Sequence, residues 1–436
     1  MRYLLLLCLV FSLALVATPA LAQTDIEIVS SSTQADFPDA LTFKVVAQSD
    51  YPIKEIVLCY QVEQVSRVAV VSEVKLKFTP GERVEASWLW DMRKASLPPG
   101  AVIHYSWIIK DAQGRVLTTE ATSVTFEDDR YSWQSLSEGK ITLFWYKGNR
   151  DFAQELMNAV QGSLTRLAQN TGAELEKPVR FYIYENTGAL RQALIFPQEW
   201  TGGQAFTDYG IVVIGVSPDS EGLAWGKRVL PHELTHLLVH QVTFSPYSDP
   251  PTWLDEGLAT YAEGDLRSDM KLLLQKAIAD DSLISVSSLS SPFPADPQQA
   301  LLSYAESDSL VSFLIKEYGR DKMLQLLESL RQGNSYNNAL KQVYGFDIDG
   351  LDISWRASLG LPPRSTPTVA PSATASPTPT SVEATPTATA TAATPAATLT
   401  ASPKAKSGGS SASPWIWAGV GGFVAVLILL VWRLRR

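Results

Sequence analysis

The sequence predicts a multidomain chain: an all-β domain, then an α+β domain, a disordered stalk and one C-terminal transmembrane helix. Three observations point there. Seven short segments within residues 24–130 alternate apolar and polar side chains between Pro, Gly or Asp turns. From 131 to 362, three strand-like runs give way to a succession of helical patterns. Beyond 362 lie a Thr/Pro/Ala/Ser tract and an uncharged apolar run. At 436 residues and 45% hydrophobic, the chain can bury two cores, and a net charge of −9 argues against nucleic acid as a partner.

Residues 1–22 combine one Arg, an apolar run and Ala20-Leu21-Ala22, the pattern of a secretory signal peptide cleaved before Gln23. Cys8 falls inside that run, so the mature chain would keep only Cys59 and could form no internal disulfide.

Residues 23–130 read as a β-sandwich of immunoglobulin-like type, without the Cys…Trp…Cys signature. Asp111–Leu117 (DAQGRVL) is a hairpin turn between two of its strands. Trp88, Trp90, Tyr105 and Trp107 are expected to be core residues, and His104 a strand histidine with no metal role.

Residues 131–362 form the α+β domain. Strands are expected at Lys140–Lys147, Pro178–Tyr184 and Tyr209–Val216, with an amphipathic helix at Asp151–Gln169. Helices follow at Leu254–Glu263, Ser268–Asp280, Pro297–Tyr318, Asp321–Gln332, Tyr336–Tyr344 and Ile348–Leu359. Between the two groups, Val229–Ala262 holds three of the four histidines: His232, His236 and His240. His232-Glu233-Leu234-Thr235-His236 is an H-e-x-x-H motif in an apolar helix. Positions i and i+4 share a helix face about 6 Å apart, so two imidazoles can bind one metal ion. Glu233 leans toward the open coordination position, where a water would sit. Zinc needs a third protein ligand and a free fourth site to be catalytic. Glu256, in TWLDEGLATYAEG, is the best candidate, with nineteen residues between it and His236.

HELTH followed by WLDEGLA resembles the gluzincin metallopeptidases, and most of all the W-L-N-E-G-F-A segment of aminopeptidase-N-like and peptidase-MA-like proteins. The resemblance implies a zincin-like metallopeptidase domain with Zn2+ held by His232, His236 and Glu256, and with Glu233 as general base. The spacing is one residue longer than in the aminopeptidase-N group, so counting alone would put Asp255 in the ligand place; Glu256 aligns within W-L-x-E-G. Thr260 stands where a thermolysin-like E-x-x-x-D pattern requires aspartate. The metzincin pattern is excluded, because Val239 and Val242 replace its glycine and third histidine. His240 lies a further turn along the helix, too far from His232 to share a tetrahedral site. Tyr304 resembles the oxyanion-binding tyrosine that follows W-L-N-E-G in the aminopeptidase-N-like group, with Tyr209, Tyr261 and Arg320 as other donors to consider. The segment with which aminopeptidases hold a free N-terminus is missing, and Thr201–Gly215 contains no glutamate, which favours an endopeptidase. Gly202–Gly215 is expected to supply the strand edge along which an extended polypeptide substrate pairs.

Residues 363–413 are too poor in large apolar groups to bury a core and read as a disordered stalk. Within 414–436, Trp415–Trp432 gives eighteen residues without a charge, and Arg433, Arg435 and Arg436 follow. The expectation is a single-pass cell-membrane protein, anchored in the lipid bilayer by this helix, with extracytoplasmic domains and a cytoplasmic C-terminus. The alternative to an enzyme is a catalytically inactive surface binding or adhesion protein on a zincin-like scaffold.

Overall fold

The computed structural model describes residues 26–364, except 66–69, 198–201 and 248. Its first part is β-rich: β1 (Glu27–Asp36), β2 (Ala40–Val62), β3 (Ser72–Lys75), β4 (Gly81–Asp91), β5 (Ala101–Asp111), β6 (Val116–Thr118) and β7 (Thr122–Phe126). The immunoglobulin-like arrangement expected from the sequence is corrected here. The seven strands form one hydrogen-bonded system, because two expected strands are a single 23-residue β2. Its residues Ala40–Gln48 pair with β1 and β4, while Ile53–Val62 pair with β5, and Val57–Tyr60 also pair with β3. The two halves lie face to face: Phe43 of β2 packs edge-on against Tyr105 of β5 at 5.1 Å, and Trp107 of β5 donates to Ser31 of β1. Alternate residues Leu41, Phe43, Val45 and Ala47 are buried between them, as period-two alternation requires. Trp88 stacks on Phe43 and Trp90 packs at a tilt against Tyr60, so both indoles extend this core. His104 contacts Ser123 on β7 and Glu63 just beyond the end of β2.

The second part opens with β8 (Gln134–Glu138) and β9 (Ile141–Trp145), then α1 (Arg150–Thr171), β10 (Val179–Tyr184), α2 (Thr187–Arg191), β11 (Gly203–Phe206) and β12 (Ile211–Gly215). The sheet order is β11-β12-β10-β9-β8, with β9, β10 and β12 parallel and both outer strands antiparallel to their neighbours. Helices follow: α3 (Ser220–Thr243), α4 (Thr252–Ala262), α5 (Ser268–Ala279), α6 (Val286–Leu289), α7 (Pro297–Arg331), α8 (Tyr336–Tyr344) and α9 (Ile348–Ser358).

Both faces of the central strands are covered, which is why they read as continuous apolar runs. Phe181, Ile183, Val212 and Ile214 face the helices, whereas Tyr182, Tyr184, Ile211 and Val213 pack into the core of the β-rich part. Polar contacts reinforce that junction: Tyr184 donates to Asp128 at 2.9 Å, Arg180 to the Gly100 carbonyl at 2.6 Å, and the Val65 amide to the Asp208 carbonyl at 2.8 Å. α7 joins the two helices expected at Pro297–Tyr318 and Asp321–Gln332, turning at Gly319, whose φ of 82° favours glycine.

Among the described residues no helix is long and apolar enough to cross a membrane. The expected signal peptide, stalk and span at Trp415–Trp432 lie outside the described residues. The assignment as a single-pass membrane protein with a lipid-bilayer partner is therefore withdrawn: the helices that are described have polar faces or are buried among one another.

Candidate metal centre

The HELTH segment occupies the middle of α3, where Val229–Val239 are all buried. An α-helix that is buried all round belongs inside a domain, and α3 lies between the sheet and α1, α4 and α7. Asp219 caps its start by accepting from the Gly222 amide. α4 begins immediately after Pro250 and Pro251 and brings Glu256 up to α3. The glycine of W-L-x-E-G has a packing reason. A Cβ on Gly257 would lie 2.5 Å from the Ser307 carbonyl oxygen, so only glycine lets α4 approach α7 this closely.

Three ligand atoms converge. His232 Nε2 lies 3.5 Å and His236 Nε2 3.7 Å from Glu256 Oε2, and one atom from each residue fits within 4.8 Å of the others. All three side chains are buried, yet these three atoms have no hydrogen-bond partner among the described residues. Both oxygens of Glu233, 0% exposed, are likewise unpartnered. Buried polar atoms without partners are costly, and several pointing at one spot call for a ligand there. The other ring nitrogens are committed: His232 Nδ1 to Glu263 Oε1 at 2.9 Å, and His236 Nδ1 to Asp255 Oδ2 at 3.0 Å. Each ring thus turns Nε2 inward and is steadied from behind by a carboxylate, the usual outer arrangement of a histidine metal ligand.

The electrostatics agree. Burial opposes charge on His232, but the neighbouring carboxylates of Glu256 and Glu263 outweigh it and lift its pKa to about 10. Burial likewise opposes charge on His236, and Asp255 and Glu256 overcome it to reach about 9. Burial raises the Glu233 carboxyl above its ordinary range, against the pull of His236 and His232. With metal bound both imidazoles would be neutral, and the carboxylates of Glu233, Asp255, Glu256 and Glu263 would then face one guanidinium, that of Arg228, an excess of negative charge that a divalent cation would balance. The donor set fits zinc: two imidazole nitrogens and a carboxylate oxygen are three of the four ligands that a tetrahedral zinc ion takes.

Asp255, the ligand that counting alone would choose, stands behind His236 instead of beside Glu256 at the convergence point. His240 is outside the cluster; its Nε2 lies 3.5 Å from Asp208 Oδ1 and its ring packs on Phe244. Tyr304 is buried on α7, its ring 6.5 Å from that of His232 and edge-on to Phe293, and burial raises its pKa well above the usual range. Of the other donors considered, Tyr209 sits against the β-rich core, Tyr261 near Asp308 and Arg320 near Gly172. Strand β11 is the sheet edge next to the site: a Cβ on Gly203 would lie 3.3 Å from Glu233 Oε1.

The sequence reading missed Glu263 and Arg228. Arg228 holds Glu263 Oε2 through Nη2 at 3.1 Å and Nε at 3.3 Å. Spacing carried a signal, since Glu263 follows Glu256 by seven residues and Arg228 precedes His232 by four, each on the same helix face as its neighbour.

Residues 159–360 match the Peptidase MA superfamily model, a span that includes α3, α4 and α7. No curated protein matches the chain. Among solved structures, the chain is similar to an M1 zinc metallopeptidase variant from Deinococcus radiodurans bound to a Tyr-Ser-Ala substrate, at 15% identity and TM-score 0.29, covering 76% of this chain and 91% of that one. It is also similar to Legionella pneumophila aminopeptidase A in complex with aspartic acid, at 11% identity and TM-score 0.31, covering 76% of this chain and 49% of that one. The Br derivative of BhCBM56 is similar at 13% identity and TM-score 0.17, over 22% of this chain and 88% of that one. At such TM-scores these three likenesses carry no weight for fold or function. The family match and the His232–His236–Glu256 cluster together support a zincin-like peptidase.

Proposed function

We propose that the chain is a zinc-dependent peptidase of gluzincin type that cleaves polypeptides internally. The observation that carries this reading is the convergence of His232 Nε2, His236 Nε2 and Glu256 Oε2, all buried and unpartnered, beside the unpartnered carboxylate of Glu233. Zinc bound there would lower the pKa of a coordinated water toward about 7 and polarise the scissile carbonyl. Glu233 accepts the proton of the attacking water as the carbon–oxygen bond forms, and returns it to the amine nitrogen as the carbon–nitrogen bond breaks. Tyr304 donates its hydroxyl hydrogen to the carbonyl oxygen as negative charge develops. Strand β11 offers its outer edge to the substrate backbone, and Thr201–Gly215 contains no glutamate of the kind with which aminopeptidases hold a free N-terminus.

Digestion of casein and of an N-acetylated peptide library tests this reading. Cleavage of blocked peptides at internal bonds, abolished by a zinc chelator and restored by zinc, is expected; hydrolysis confined to free N-termini would contradict internal cleavage, and no hydrolysis would contradict the peptidase. Tyr304→Phe is expected to retain zinc and lose about 100-fold in turnover, the usual effect of removing one oxyanion donor. The loss should fall on kcat more than on KM, because that hydrogen bond strengthens only in the transition state.

A further inference from the structure

We infer that the β-rich part belongs to the substrate site: it braces edge strand β11 at both ends, with Arg130, just beyond β7, as a positioning residue. This rests on the reading of β11 as the strand that pairs with substrate. The Gly215 amide donates to the Gly202 carbonyl at 3.0 Å, and Gly203 then pairs with Ile214. Antiparallel bonding alternates, so the amides and carbonyls of Gly203 and Ala205 turn to the outer edge, where an extended peptide would meet them. β11 has four residues and, among the described residues, pairs with β12 alone. A strand so short and one-sided takes its position from what holds its flanks.

Both flanks are held from the same side. Upstream, the Arg130 guanidinium commits Nε and Nη2 to buried Asp128, each at 2.7 Å, and Nη1 to the Gln192 carbonyl at 3.2 Å, while it lies over the ring of Phe37. Ala193 and Leu194, which follow Gln192, are buried in the core that holds Phe37 and Phe126. Downstream, the Val65 amide donates to the Asp208 carbonyl at 2.8 Å, and Phe206 and Tyr209 pack against that same core. A Cβ on Gly210 would lie 3.2 Å from Val65 Cγ1, so the two chains are in close contact there. The metal ligands stand instead on α3 and α4, whose Leu234, Leu237 and Leu258 belong to the other core. Loosening either anchor would therefore move β11 against the metal centre without disturbing the ligands. The backbone hydrogen bonds lost in this way are made in the bound complex and the transition state alike, so the loss falls on KM.

Kinetics of the full chain on a long N-acetylated peptide and on a blocked dipeptide test the inference. Arg130→Lys keeps a cation on buried Asp128, but a single ammonium lacks the planar fork that serves Asp128 and Gln192 together. The variant is expected to keep stoichiometric zinc and a near-parental kcat, and to raise KM for the long peptide about tenfold, the loss of one or two backbone hydrogen bonds. The dipeptide reaches little of the edge and is expected to change less. A residue that merely supported the fold would lower thermal stability and leave KM at its parental value. Parental KM for the long peptide, or an equal rise for both substrates, would overturn the inference while leaving the peptidase standing. Should Arg130→Lys fail to fold, Val65→Pro decides by the same criteria, since it removes the amide donor at the other flank and touches no buried charge. If the parent hydrolyses nothing, the peptidase reading falls, and amide exchange tests the bracing alone. Faster exchange across residues 203–209 in the variant, with α3 parental, supports it; parental exchange there overturns it.

Discussion

Glu233→Gln is expected to leave fold and zinc content intact and to reduce peptide hydrolysis to background. Gln matches Glu in size, and Glu233 is not among the three converging ligands, so neither packing nor the metal set should change. What disappears is the base. An amide cannot take up the proton of the attacking water, nor return one to the departing amine, so both halves of the reaction fail together. Replacing a buried carboxylate that has no hydrogen-bond partner among the described residues is also expected to cost little stability. Hydrolysis rates and melting curves of the two proteins, measured at equal zinc occupancy, check both statements. A variant as active as its parent would remove Glu233 from the chemistry.

The second large effect concerns the metal. His236→Ala is expected to lose stoichiometric zinc and with it all hydrolysis, since two ligands cannot hold a structural or catalytic zinc in competition with water. His240→Ala is expected to keep both, because its ring lies at the far end of α3 against Phe244 and Asp208. Metal analysis of the dialysed variants reads the difference directly. The same measurement on Glu256→Gln and Asp255→Asn separates ligand from support. The first should lose the metal and the second only weaken it, since Asp255 stands behind His236.

Much of this site was legible before any coordinates, for physical reasons. The i,i+4 spacing of His232 and His236 puts both rings on one face of α3, and that face is the one the fold buries. W-L-x-E-G was readable because Gly257 is demanded by the backbone of α7 and Glu256 by the cation site. Helix α8 was read to the residue: Ser335 caps one end and Gly345, with φ 87°, terminates the other, both common sequence signals.

Other features were hidden because they depend on distant parts of the chain. Asp50-Tyr51-Pro52 reads as a turn, yet the backbone stays extended there and merges two strands into β2, as exposed residues between two pairing registers. β8 is short and polar and acquires its place only from β9. Tyr182 and Tyr184 lie in an apolar run whose sequence does not say what covers that face; the β-rich part does. Glu263 lies beyond the recognisable motif, and its role appears only when α4 docks on α3. The apolar C-terminal run is a warning of another kind: composition alone suggested a membrane span that no described helix supports.

The central claim is that one zinc ion sits among His232, His236 and Glu256, and zinc K-edge X-ray absorption on the purified full chain tests it most directly. The expected spectrum shows one zinc per chain in a four-coordinate shell of nitrogen and oxygen at about 2.0–2.2 Å, with imidazole scattering from two histidines. Substoichiometric zinc, or a sulfur scatterer at about 2.3 Å that none of these three residues could supply, would contradict it.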